Sequence, residues 1–109
     1  MDSILTTIKK HLGITEDYEH FDVDIINHIN SVFTILMQIG VGPEKGFKIT
    51  DKSQTWSEFI PDGEQLELVK TYMEKRVKLM FDPPQSSAVI DVINRQIEEY
   101  EWRLYVEKN

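Results

Sequence analysis

The side chains able to do chemistry in this 109-residue sequence are acids, three histidines and a set of aromatics. Cysteine is absent, so there is no thiolate nucleophile, no cysteine-ligated zinc and no disulfide framework. His11, His20 and His28 fall in separate segments without metal-ligand spacing. The densest acidic run, Glu16 to Asp24, lacks the glycine and the distal glutamate of an EF-hand loop. Helix capping by Asp22 or Asp24 is its simpler reading. The glycines at 40, 42 and 46 are not followed by the Gly-Lys-Ser/Thr ending that cradles phosphate. Neither a GxSxG nucleophile elbow nor an HExxH zinc helix is present. Close carboxylate pairs arise by accident among 19 Asp+Glu and carry no glycosidase signal. The expectation is therefore a protein with no catalytic residues, no metal and no cofactor.

Charge and composition narrow the class further. Twelve Lys+Arg against 19 Asp+Glu give a net charge of −7, spread over both halves. Non-specific nucleic-acid affinity depends on clustered basic residues, so an acidic chain of this kind is a poor DNA binder. The longest uncharged stretch, Ile25 to Pro43, contains Asn27, His28, Asn30, Ser31, Thr34 and Gln38, too many polar groups for a membrane span. The N-terminal MDSILTTIKK lacks the basic start and apolar core of a secretory signal. A single domain is expected at this length, from a reducing cytoplasmic setting.

The elements that would position these residues are helical. Apolar spacing predicts an all-α bundle of about four helices, over 2–12, 23–39, 63–81 and 86–106. The second helix carries a broad apolar arc and a polar strip without charge (Asn27, Asn30, Ser31, Thr34, Gln38), suited to a core helix that also meets another subunit. Residues 43–62 read as a long irregular loop, with a possible short strand at Gly46–Thr50 and a helical turn at Gln54–Ile60 burying Trp56, Phe59 and Ile60. Ion pairs are expected at Glu74–Lys78, Asp91–Arg95 and Glu99–Arg103. Trp102 and Val106 stand off the stripe Ile90, Ile93, Ile97, Tyr100, Leu104 of the last helix, as interface anchors do.

The segments FDVDIINHINSVFTILMQIGVGP (21–43), GFKITDKSQTWSEFI (46–60) and LMFDPPQSSAVIDVINRQIEEYEWRL (79–104) resemble the small head–tail connector proteins of long-tailed bacteriophages. These are adaptor or head-completion proteins, often labelled DNA-packaging proteins. The most specific element is Phe81-Asp82-Pro83-Pro84, followed by Ser86-Ser87 and then Glu101-Trp102-Arg103-Leu104. The resemblance implies a helical virion protein, assembled in the host cytoplasm into a ring, expected to be twelvefold, beneath the portal. Such a ring extends the DNA channel without binding DNA specifically and presents a platform for a stopper or tail-completion protein. On this reading Trp102, Arg103 and Tyr105 are candidates for portal docking. Phe47, Trp56 and Phe59 are candidates for contacts with neighbouring subunits or the tail-side protein. The alternative is a small cytosolic helical adaptor that binds one protein partner in a groove.

Overall fold

The computed structural model describes residues 3–107. Five helices form in chain order: α1 (Ile4–His11), α2 (Asp22–Ile39), α3 (Trp56–Phe59), α4 (Glu64–Phe81) and α5 (Ser87–Glu107). Three of the helix ends are set by local chemistry. The Ser3 hydroxyl accepts from the Thr6 N–H (3.2 Å) and opens α1. Gly40, at φ +101°, closes α2 in the left-handed conformation that glycine adopts without a Cβ penalty. The Ser86 hydroxyl accepts from the Val89 N–H (3.3 Å) and opens α5.

The core lies among α1, α2 and α4. Ile4, Leu5 and Ile8 of α1 meet Ile25, Ile29, Val32, Phe33 and Leu36 of α2 and Leu66, Val69, Tyr72, Met73 and Val77 of α4. Helix α5 is peripheral, fully burying only Ile97 and Leu104. It packs mainly along α4.

Four expectations are corrected. First, Gly46–Thr50 is not a strand; among the described residues the only β-type pairing is an isolated antiparallel bridge between Ser3 and Thr55. The segment has no neighbouring strand. The Asn30 side chain takes that place, donating to the Ile49 carbonyl (3.0 Å) and accepting from the Ile49 N–H (2.8 Å). Second, neither Asp22 nor Asp24 caps α2: the N-cap is Phe21, and both acids lie in the first turn, where they still suit the helix dipole. Third, Glu74 faces His11 of α1 (2.7 Å) while Lys78 pairs with Asp82 (2.8 Å), so the Glu74–Lys78 pair does not form. Fourth, among the described residues Asp91 and Arg95 form no ion pair, whereas Glu99–Arg103 does (2.7 Å).

Residues 12–21 are held by a lysine. Lys9 is 2% exposed. Its ammonium donates to the carbonyls of Glu16 (3.0 Å) and Tyr18 (2.7 Å) and pairs with the Asp22 carboxylate (2.8 Å). One buried cation thus ties the end of α1, the acidic loop and the start of α2 together.

Candidate interaction surfaces

The helical turn at Gln54–Ile60 forms as α3, and it buries its aromatics. A reciprocal capping box makes the turn: the Thr55 side chain and N–H pair with the N–H and carboxylate of Glu58. Trp56 is enclosed, its indole N–H donating to Thr7 Oγ1 (3.3 Å) and its ring lying under the Lys70 ammonium (5.9 Å to the centroid). Phe59 is enclosed too, with its ring 4.7 Å from that of Phe33. Phe47 is half-buried, edge-on to Phe33 (5.1 Å) and to Phe59 (5.4 Å). It lines a surface cleft with Thr34, Met37, Lys45 and Lys48. Of the three middle-segment aromatics, Phe47 alone keeps part of its ring accessible, while Trp56 and Phe59 are enclosed by the protomer's own packing.

The C-terminal candidates are placed differently. Trp102 is 66% and Tyr105 56% exposed, and the Arg103 side chain reaches outward to Glu99. All three are exposed on the last turns of α5, and Trp102 is turned away from α4. Val92 (49% exposed) and Val106 share this outward side. Val92 was not singled out from the sequence, although its spacing from Trp102 and Val106 would have placed it there.

A polar cluster fixes α5 against α4, and with it the presentation of Trp102. The buried Tyr72 hydroxyl donates to Glu101 (2.7 Å) and accepts from Arg76 Nε (2.8 Å), while Arg76 Nη2 pairs with the same carboxylate oxygen. Glu101 immediately precedes Trp102, so the network sets the rotation of the helix where the tryptophan projects. Burial, reinforced by the hydrogen bond to Glu101, pushes the Tyr72 hydroxyl well above the ordinary tyrosine range.

A second open surface lies on α2. Val23, Asn27, Ser31, Thr34, Met37 and Gln38 are exposed along one side and carry no charge. Ser31 and Thr34 turn their hydroxyls back to the carbonyls of Asn27 (3.0 Å) and Asn30 (3.2 Å), which lowers their demand for water. Of the expected polar strip, Asn30 alone is drawn inward, by its bonds to Ile49.

Among the described residues no group of three or more His, Asp or Glu side chains is arranged to hold an ion, and the acids of 16–24 are divided between Lys9 and solvent. Among the same residues, no helix is long and apolar enough to cross a membrane.

Compared with known protein families, residues 4–109 match the family model described as phage connector protein. The match spans nearly the whole sequence. The chain belongs to the phage connector protein family. The family is one of structural proteins. No curated protein and no solved structure matches the chain.

Proposed function

We propose that this connector forms a ring beneath the portal of a phage head, extends the DNA channel after packaging and joins the filled head to the stopper or tail-completion protein. The supporting observation is a protomer with a filled core that still presents an uncharged surface on α2 and exposed Val92, Trp102 and Val106 on α5. A closed ring is built from heterologous contacts, in which each subunit offers two unlike faces. The uncharged side of α2 is suited to one of those faces, and the outward side of α5 to the portal. A pair of unlike faces is more than a one-groove adaptor requires, and family membership favours the connector reading over that alternative.

Charge supports the channel role. Twelve copies at −7 each would carry about −84 formal charges, and acids lining a lumen repel DNA phosphates, so that duplex slides rather than sticks. Portal docking is assigned to Trp102, Arg103 and Tyr105, which project from the end of α5. A mostly exposed tryptophan on a helix end is the type of residue that anchors interface hot spots. Phe47, beside Met37 at the edge of the α2 surface, is assigned to the contact with a neighbouring subunit.

The docking assignment is tested by cosedimentation of Trp102→Ala with DNA-filled, tailless heads. Trp102 is mostly exposed, so the variant should fold normally while its attachment falls by roughly tenfold or more. Attachment at the wild-type level would remove Trp102 from the docking surface.

A further inference from the structure

Helix α5 carries two apolar-to-polar ladders on opposite sides. The inner one, Ile90, Ile93, Ile97, Tyr100 and Leu104, faces the protomer. The outer one, Ala88, Val92, Arg95, Glu99, Trp102 and Val106, is exposed throughout. Its spacing is 4, 3, 4, 3, 4 residues, the repeat by which two helices pack along a seam. That spacing reads the same in both directions, and so does the chemistry. Laid antiparallel on a second copy about residue 97, Ala88 meets Val106, Val92 meets Trp102, and Arg95 meets Glu99, each twice. Every apolar residue finds an apolar one, and every charge finds its opposite.

We propose that the outward face of α5 pairs antiparallel with the same face of a second copy of this chain, through two central Arg95–Glu99 layers flanked by Val92–Trp102 layers. Arg95 makes no ion pair within the protomer among the described residues, so the second copy supplies the anion it lacks. Glu99 already holds Arg103 (2.7 Å), and its second oxygen can receive the partner's Arg95. The ladder from Ala88 to Val106 extends over roughly 27 Å at the helical rise, and its six residues make six packed layers. Only the edges depart from full complementarity. Gln96 meets its own copy on one side, and Glu98 meets its own copy on the other, where water screens the repulsion.

The pairing itself does not depend on the portal reading, but one consequence rests on it. The dimer covers Trp102, so a paired connector cannot use that residue to dock. The free dimer and the docked ring subunit are then alternative states, and the portal competes with a second copy for the same face.

Sedimentation velocity over a range from micromolar to hundreds of micromolar tests the pairing without any phage component. The wild type is expected to shift from monomer to dimer with concentration. Arg95→Glu alone, or Glu99→Arg alone, places like charges in both central layers and should raise the dimer dissociation constant by roughly tenfold or more. An equimolar mixture of the two variants restores both layers with opposite charges, so a heterodimer of wild-type affinity is expected. Helix content by circular dichroism checks that the variants fold, as exposed positions should allow. A wild type that stays monomeric throughout or forms larger rings overturns the proposal. So do single variants that dimerise as well as the wild type, or a mixture that fails to recover. A dimer that forms as described but does not compete with portal attachment would instead overturn the docking assignment of Trp102.

Discussion

Replacing Lys9 by methionine keeps the length and much of the volume of the side chain but removes its charge and donors. Two loop carbonyls and the Asp22 carboxylate then lose the cation that holds them. Breaking a buried ion pair by removing one partner costs about 3–5 kcal/mol, because the remaining charge stays desolvated. Here Glu16 and Tyr18 lie at the surface and Asp22 is partly accessible, so water can recover some of the loss. The expected cost is about 2–4 kcal/mol, a large share of the stability of a domain this size. In a thermal melt that corresponds to a drop of roughly 10–15 °C. Urea titration supplies the free energy, and a cycle with Asp22→Asn and the double variant isolates the Lys9–Asp22 coupling. Amide exchange should rise locally across residues 12–21. A loss below about 0.5 kcal/mol, or a coupling of zero with unchanged loop exchange, would refute the clip.

Two further outcomes follow from the packing. The Tyr72 hydroxyl keeps its proton in the folded state at pH values where an unfolded tyrosine ionises, so folding binds a proton above about pH 10 and stability falls as pH rises beyond that point. Tyr72→Phe should remove this alkaline slope, measurable by urea titration at several pH values, while costing about 1–2 kcal/mol at neutral pH. Gly42 sits at φ +89°, and a Cβ there would run into the buried Phe59 ring. Gly42→Ala should cost about 2–4 kcal/mol by the same titration, from backbone strain and overpacking together.

The helices were legible because their periodicity and stop signals agree. Gly40-Val41-Gly42-Pro43 ends α2, and Asp82-Pro83-Pro84 follows α4 with no continuation possible. The burial of Trp56, Phe59 and Ile60 was legible only in part: a helical turn can bury all three, but Trp56 and Phe59 read equally as partner contacts until their enclosure by the protomer was seen. What escaped were interactions between residues distant in sequence and unlike in type. Lys9 reads as a surface residue of a short amphipathic helix, because its partners are backbone carbonyls of an acidic loop with no pattern of its own. Asn30 reads as part of a polar strip, yet its amide has both a donor and an acceptor and so substitutes for a neighbouring strand at Ile49. Gly46–Thr50 alternates as strands do, but alternation without a partner strand does not make a sheet. The outward aromatics of α5 were visible in sequence; their relation to Val92 and Arg95 emerged once burial fixed which side of the helix faces the protomer.

The central claim is that this connector occupies the portal vertex as a ring. The most direct measurement is image averaging at that vertex, on DNA-filled tailless heads with and without the purified protein. The account predicts an added ring of density beneath the portal, with α5 turned toward it and a DNA-sized channel at the centre. Heads that bind no protein although their portal is intact, or that bind it anywhere but the vertex, would contradict it.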